Sequence, residues 1–311
     1  MFVGHGLLAF AVVASAGRRL GWEPERALWV GAIAGGFATL PDVDMLYALS
    51  GLAGAIGGPA AVPDAFWGAA NEFHRAITHA LPVAALAAAG FATAVPVCTA
   101  RRARDHPART ALAAVLLGGL LAVVFATSGP VAAALSVPFV AGGLALVALA
   151  AREGFDTLTV LLAAGIGLVS HPFGDLFTGT PPALLYPFDV QLLAGRVTLH
   201  ADPTLHLLGA FFVELATVWL AVAVYARLSG RSLRRAVRFQ AGIGVGYAGA
   251  VLVVPAPTLD VASPFVFSVL AVGAVVLFLR RRQWDWWSGA VTALATVTLA
   301  ALAYTGAYLV G

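Results

Sequence analysis

Residues 109–128 read RTALAAVLLGGLLAVVFATS, a run in which every residue after Arg109 is uncharged. Its length matches the roughly 20 residues that an α-helix needs to cross the hydrocarbon core of a bilayer. The whole chain shares this character, because 60% of its 311 residues are hydrophobic and only 11% are charged. Soluble domains carry roughly a quarter charged residues. The sequence therefore predicts an integral membrane protein.

Similar apolar runs lie on both sides of this one, and several of them reach membrane-spanning length. Runs 5–17, 27–40 and 156–170 are shorter, and we expect them to tilt, to thin the bilayer or to lie half-buried among their neighbours. Stretches 45–70 and 176–204 are rich in Gly and Pro, which indicates loops or re-entrant pieces enclosed by protein. The predicted fold class is all-α, a polytopic membrane helix bundle. Its ten or so apolar segments are 5–17, 27–40, 77–99, 109–128, 131–151, 156–170, 205–227, 239–255, 261–279 and 287–309.

The charged residues divide between the two sets of segment ends. All 18 basic residues are Arg, and nearly all of them lie in the connections that the segment order places on one side. Because positively charged connections face the cytoplasm, we expect a multi-pass cell-membrane protein whose other side is extracytoplasmic. Arginines beside apolar spans indicate topology, so the net charge of +3 predicts no nucleic-acid partner. The single Cys98 excludes an internal disulfide and a Cys-based metal site.

The side opposite the arginines collects most of the acids and histidines. Ionisable groups at the edge of a membrane are costly, so they are candidates for a functional site. Leu40-Pro41-Asp42-Val43-Asp44 ends the second segment, where Pro41 is expected to stop or kink the helix. The two carboxylates suit a divalent cation. The alternative is a polar helix end that faces water.

His74-Arg75-Ala76-Ile77-Thr78-His79 opens the third segment. On a helix Arg75 and His79 share a face, whereas His74 and His79 diverge. A metal shared by the two histidines therefore requires His74 at an irregular helix entrance; otherwise the two rings have separate duties. Arg75 offers a planar fork for a phosphate or carboxylate. The alternative is an interfacial His beside an Arg that reaches into the headgroups.

His171-Pro172-Phe173-Gly174-Asp175 ends the sixth segment. The spacing of four places the imidazole and the carboxylate on one helical face, as two ligands of one ion or as a ligand and the acid that orients it. Pro172 allows another arrangement, in which a new helix begins there and His171 caps it. An ordinary polar helix end is the remaining alternative, and His5 before the first segment is a weak signal alone.

Taken in order, these motifs and the later Gly179-Thr180 and Pro187-Phe188 resemble a known family. The chain looks like the membrane-bound metal-dependent hydrolases, also described as LexA-binding, inner-membrane-associated hydrolases. The resemblance covers roughly 1–205, interrupted by an added apolar stretch at 100–155. It implies a hydrolase-like membrane domain over 1–205, followed by C-terminal transmembrane helices of unknown role over 206–311.

The order of the His and Asp motifs is also similar, more distantly, to that of zinc-dependent phospholipase C and related nucleases. By that similarity the metal ligands are His5, Asp42, His74, His171 and Asp175. Those enzymes complete a three-metal site with a later His and a His-x-x-x-Glu motif. This chain has His200 and His206, but Ala210 stands four residues after the latter. One or two ions, most simply zinc, is therefore the expectation.

The residue types predict hydrolysis by metal-activated water. Asp44 or His79 is expected to accept the proton, and Arg75 to stabilise charge on a phosphoryl oxygen. A site at the membrane rim favours a lipid-like or phosphoester substrate among membrane lipids, and the sequence leaves the oligomeric state open. Two alternatives stay open: a cation- or proton-coupled transporter or channel, and a structural membrane protein with a stabilising metal.

Overall fold

The computed structural model describes residues 2–53, 62, 65–66, 68–69, 77–99, 106–188, 190–279 and 285–311. Within these ranges all regular structure is helical, and no strand occurs. Five of the described helices are long and apolar enough to cross a membrane. The prediction of an all-α, polytopic membrane protein is confirmed. The chain divides into two compact units, Met1–Arg196 and Val197–Gly311.

The first unit carries six described helices. They are α1 (Phe2–Arg19), α2 (Pro24–Thr39), α3 (Ala48–Ala53), α4 (Leu81–Thr99), α5 (Pro107–Arg152) and α6 (Thr157–Gly174). Short 3-10 helices continue the chain after α2 and α6, at Pro41–Tyr47 and Asp175–Phe177. The stretch 45–70, predicted as loop or re-entrant, thus includes a short helix, whereas the described residues after Phe177 and before Pro203 form no helix.

The 46 residues of α5 form a helical hairpin, which accounts for the two predicted segments 109–128 and 131–151. Both halves pack on the same place in α4. A Cβ at Gly90 would lie 2.7 Å from Leu117 Cδ2, and the ring of the adjacent Phe91 lies 6.0 Å from that of Phe139. A straight helix would separate Leu117 from Phe139 by about 33 Å. The chain therefore folds back at Gly129, whose φ of 83° and ψ of −178° interrupt the helix.

Helices α1 and α2 are antiparallel, since Gly6 lies beside Thr39 at one end and Gly17 beside Trp22 at the other. The core of this unit is centred on three aromatic residues of α2, α4 and α5: Phe37, Phe91 and Phe139.

Within the first unit, Arg26 and the Asp42 motif lie at opposite ends of α2. The Arg26 guanidinium carbon lies 5.2 Å from the centre of the Trp22 ring and 5.9 Å from that of Phe155. Arg26 is in the first turn of α2, and Asp42 follows the end of that helix. The 16 residues of α2 separate its two ends by about 24 Å.

The second unit contains four described α-helices and a 3-10 run. They are α7 (Pro203–Leu228), α8 (Leu233–Ala236), the 3-10 run Phe239–Leu252, α9 (Ser263–Phe278) and α10 (Trp286–Val310). Segment 239–255 was predicted as an apolar span, and the structure winds it more tightly than an α-helix. Asp202 and Asp285 cap α7 and α10 by accepting hydrogen bonds from backbone N–H groups. The pKa of both carboxyl groups is lowered by these hydrogen bonds.

Candidate metal centre

Four side chains from three parts of the first unit converge at the end of the helices opposite Arg26. Asp42 comes from the 3-10 helix after α2, His79 from the turn before α4, His171 from the last turn of α6, and Asp175 from the residue after it. Each offers one ligand atom, and these four atoms all lie within 4.8 Å of one another. Asp42 is partly exposed, and the other three residues are buried.

The distances within this group are short. The two imidazole Nε2 atoms, of His79 and His171, lie 2.9 Å apart. His79 Nε2 lies 3.2 Å from Asp175 Oδ2 and 3.8 Å from Asp42 Oδ1. His171 Nε2 lies 3.5 Å from Asp42 Oδ1 and 3.9 Å from Asp175 Oδ2. Two nitrogens and two carboxylate oxygens therefore face one small volume.

The orientation of His171 is fixed by α2. Its Nδ1 lies 2.7 Å from the backbone oxygen of Ala38, so the ring donates its proton there and presents an unprotonated Nε2 to the group. This contact requires α6 to approach α2 closely. Gly167, one turn earlier on the same face of α6, allows the approach, since a Cβ there would lie 2.5 Å from Ala34 O. α6 also continues through Pro172, so His171 and Asp175 are four residues apart at the end of one helix.

Thr78 sets the orientation of His79. The Thr78 hydroxyl donates to Asp44 Oδ2 over 3.0 Å, and its oxygen lies 3.0 Å from His79 Nδ1. Because the hydroxyl proton is directed to the carboxylate, the Thr78 oxygen accepts from His79 Nδ1–H. Asp44 Oδ2 itself lies 3.6 Å from His79 Nδ1. His79 therefore also presents an unprotonated Nε2 to the group. The proton-accepting role predicted for His79 stays a prediction.

His5 lies against the group without being one of its four members. Its ring centre is 4.1 Å from that of His171, and its Nε2 is 3.3 Å from Asp175 Oδ1. His5 is 4% exposed, and its Nε2 makes no hydrogen bond within the described part of the chain. Gly174 leaves the space that the His5 ring occupies. His5 is thus placed to orient Asp175 or to add a fifth donor.

The chemistry of the four atoms calls for a cation. Two imidazole lone pairs and two carboxylate oxygens repel one another when nothing positive lies between them, and burial in low dielectric increases the cost. A proton joins only two such atoms, whereas a divalent metal ion bonds to all four. The group can therefore hold a metal ion.

A small cavity, with a volume of about 50 Å³, opens beside Asp44 and Thr78, on the Nδ1 side of the His79 ring. Asp44 and Thr78 form its polar wall, and residues of α5 next to the hairpin turn form much of the rest. The complete lining is Asp44, Ile77, Thr78, Ser128, Ala132, Leu135 and Ser136. The added stretch 100–155 thus contributes directly to the surroundings of the group.

Two of the predicted site residues, His74 and Arg75, lie outside the described residues. Two other histidines, in the second unit, have local roles. His206 Nδ1 accepts a hydrogen bond from the Leu199 backbone N–H, and His200 Nδ1 accepts one from that of Asp202.

Sequence reasoning gave no role to Thr78, Gly167 or the Ala38 carbonyl. Thr78 had a usable signal, since it directly precedes His79 in the quoted motif. Gly167 also had a sequence signal, because it stands four residues before His171 and shares its helical face. The Ala38 carbonyl had none, since a backbone acceptor leaves no trace in residue type.

Comparison with known families covers the first part of the chain. Residues 1–130 match the family described as YdjM inner membrane protein. The matched part includes His5, Asp42 and His79, and it ends at the α5 turn, before His171 and Asp175. Together with the apolar helices, this similarity supports a multi-pass membrane location. No curated protein and no solved structure matches the chain.

Proposed function

We propose that this protein is a membrane-embedded, metal-dependent hydrolase that acts on a phosphoester or lipid-like substrate. The observation that carries the proposal is the convergence of Asp42, His79, His171 and Asp175, with four ligand atoms within 4.8 Å of one another. Such a group in an apolar setting is costly, which favours a functional role.

Zinc is the metal that the donor set fits best. Imidazole nitrogen and carboxylate oxygen are ordinary zinc ligands, with bonds of about 2.0–2.1 Å in a tetrahedral arrangement. Two ligand atoms of such a tetrahedron are about 3.3 Å apart by this geometry. The distances that involve the two Nε2 atoms, from 2.9 to 3.9 Å, bracket that value. When bound, zinc would supply Lewis-acid activation of water.

The surrounding side chains then have distinct tasks. Asp44 lines the cavity beside the group and is the residue we assign as proton acceptor. The Thr78 hydroxyl contacts both Asp44 Oδ2 and His79 Nδ1 and so fixes the positions of these two side chains. His5 steadies Asp175 from the other side. Arg75 is assigned, from sequence alone, to stabilise negative charge on a phosphoryl oxygen.

A lipid-like substrate is favoured by the cavity. Its α5 wall includes Ala132 and Leu135 beside Ser128 and Ser136, and we assign the apolar pair to the carbon chain of a substrate. The site also lies at the ends of apolar helices, where headgroups of membrane lipids would be within reach. The distribution of arginines favours the extracytoplasmic face.

Burial of the group favours a second candidate, a closed structural metal site. Structural zinc sites use four protein ligands, whereas catalytic sites keep a position open. His171 is 0% exposed and Asp175 is 1% exposed. The two candidates differ in the role of Asp42, whose carboxylate is partly exposed. An Asp42 that moves aside for water makes the site catalytic.

The test is elemental analysis of the detergent-purified full chain, together with hydrolysis of a chromogenic phosphodiester and of solubilised phosphatidylglycerol. We expect near-stoichiometric zinc and activity in the wild type. Both are expected to be lost in His171→Ala and retained in His106→Ala, a matched control outside the group. Asp44→Asn should retain zinc and lose activity by about 10²-fold or more, as for other general bases.

Chelation of the wild-type protein separates the outcomes even when His171→Ala does not fold. Loss of activity that returns with added zinc supports the hydrolase. Tightly bound zinc without hydrolysis, together with a lower unfolding temperature after chelation, supports the structural site. A wild-type protein that takes up no metal overturns both candidates.

A further inference from the structure

A second site-like feature lies in the second unit, away from any His/Asp motif. Residues 227–238 contain five arginines and no acid. This stretch joins the end of α7 to α8 and the residues after it. All five arginines are exposed: Arg227, Arg231, Arg234, Arg235 and Arg238. We call these five residues the arginine patch.

The backbone beneath the patch is held in place by packing. Ala226 and Ala236 are buried with Trp287 and Val291 of α10, and Leu233 packs against them. The Arg231 N–H donates to Ala226 O over 2.8 Å. Five like charges on so short a stretch would favour a mobile chain, yet here the backbone that carries them packs on an apolar cluster.

The N-terminus of α10 completes the surface. The Arg231 guanidinium carbon lies 5.2 Å from the centre of the Trp286 ring, and its Nη1 lies 3.5 Å from Asp285 Oδ2. Trp286 is 58% exposed. Arg238 Nη2 donates to Ser288 Oγ over 3.5 Å. Within the described part of the chain, no ion pair is formed by Arg234 or Arg235, so the patch keeps a net positive charge.

The position of the patch identifies the ligand class. α7 and α10 are two of the five candidate membrane spans, and the patch lies where the first ends and the second begins. The Tyr225 and Trp287 rings of these helices are 5.5 Å apart there. Exposed tryptophan beside arginine at the end of apolar helices is typical of the headgroup layer. The anion that this layer supplies is a phospholipid phosphate.

We propose that the arginine patch binds the headgroup of an anionic phospholipid, with Trp286 against the glycerol and upper acyl region. Each arginine near an anionic membrane surface is worth about 1 kcal/mol, or about fivefold in affinity. The site is independent of the metal centre and of the hydrolase proposal.

The test uses full-length protein reconstituted into equimolar phosphatidylcholine and phosphatidylglycerol vesicles, with bromine carried on the acyl chains of one lipid or the other. Bromine quenches tryptophan on contact, and the difference between wild type and Trp286→Phe reports on Trp286. We expect phosphatidylglycerol to quench Trp286 several-fold more than phosphatidylcholine does. Arg234→Gln/Arg235→Gln should remove most of this preference, whereas Arg234→Lys/Arg235→Lys should keep much of it.

The control variant is Arg109→Gln/Arg152→Gln, which removes two exposed arginines from the first unit. It should leave the Trp286 preference unchanged. Equal quenching by the two lipids overturns the proposal, and so does an equal loss in the control variant. Displacement of the lipid by inorganic phosphate, or binding of an oligonucleotide in its place, would also overturn it.

Discussion

The close approach of α6 to α2 gives a direct test of how the metal centre is positioned. Gly167→Ala adds one methyl group, and the new Cβ would lie 2.5 Å from Ala34 O and 2.9 Å from Phe37 Cβ. Ordinary van der Waals contact begins at 3.4 Å. The helices must therefore separate by about 0.9 Å, which in a packed core costs about 1–3 kcal/mol.

The same displacement reaches the ligand group, because His171 lies one turn further along the same face. A shift of about 0.9 Å would lengthen the contact between His171 Nδ1 and Ala38 O from 2.7 Å to about 3.6 Å, beyond hydrogen-bonding distance. Loss of such an orienting contact typically costs 10–100-fold in metal affinity. If the group binds zinc as proposed, Gly167→Ala should weaken that binding by about this factor.

The assay is zinc competition against a chelator of known affinity, with the unfolding temperature measured in parallel. Gly165→Ala is the matched control, since it lies two residues away on α6 and a Cβ there meets nothing within 4 Å. It should keep wild-type affinity and gain slightly in helix stability. A folded Gly167→Ala protein with wild-type zinc affinity would refute the positioning role of this contact.

Four further substitutions test the fold. Gly129→Ala should lower the unfolding temperature, because a backbone at φ 83° and ψ −178° costs a residue with a side chain about 1–3 kcal/mol. Tyr304→Phe should raise it, because the buried hydroxyl has no hydrogen-bond partner among the described residues, whereas Tyr247→Phe should lower it by removing a 2.6 Å bond. The hydrogen bond from the Thr159 backbone N–H lowers the pKa of Asp156 in the folded protein. The ionised carboxylate therefore stabilises the fold above the unfolded pKa of about 3.9, and this stabilisation is lost as pH falls through the lower folded pKa. Asp156→Asn should lose that part of the acid dependence of the unfolding temperature.

The apolar pattern predicted most of the helices, since runs such as 77–99 and 205–227 have no other stable structure in lipid. It also divided α5 correctly at Gly129, because Gly followed by Pro interrupts an apolar helix. No comparable pattern in the sequence predicted the 3-10 winding of Phe239–Leu252. Its many small residues fit an α-helix equally well. The segment packs closely on α10, since a Cβ at Gly244 would lie 2.3 Å from the backbone oxygen of Thr296.

The candidate site was likewise predicted in part from the sequence. The resemblance implied His5, Asp42, His74, His171 and Asp175 as ligands, and the structure brings the ligand atoms of Asp42, His171 and Asp175 within reach of one ion. Helical geometry separated His74 from His79, but it did not predict that His79 lies among the ligand atoms. His79 precedes the first turn of α4, so its direction depends on Thr78 and Asp44, which are remote in sequence from each other.

The α5 hairpin bears on the substrate of the proposed hydrolase. The ligand atoms come from the segments around α2, α4 and α6, whereas the cavity wall at Ala132 and Leu135 comes from the second half of α5. The similarity to a known inner-membrane family ends at residue 130, so Ala132 and Leu135 lie beyond it, as do the candidate ligands His171 and Asp175. We expect Leu135→Trp to narrow the cavity and reduce hydrolysis of a phospholipid more than that of a small phosphodiester, at unchanged zinc content. Equal loss on both substrates would show that the wall supports the metal centre and does not select the substrate.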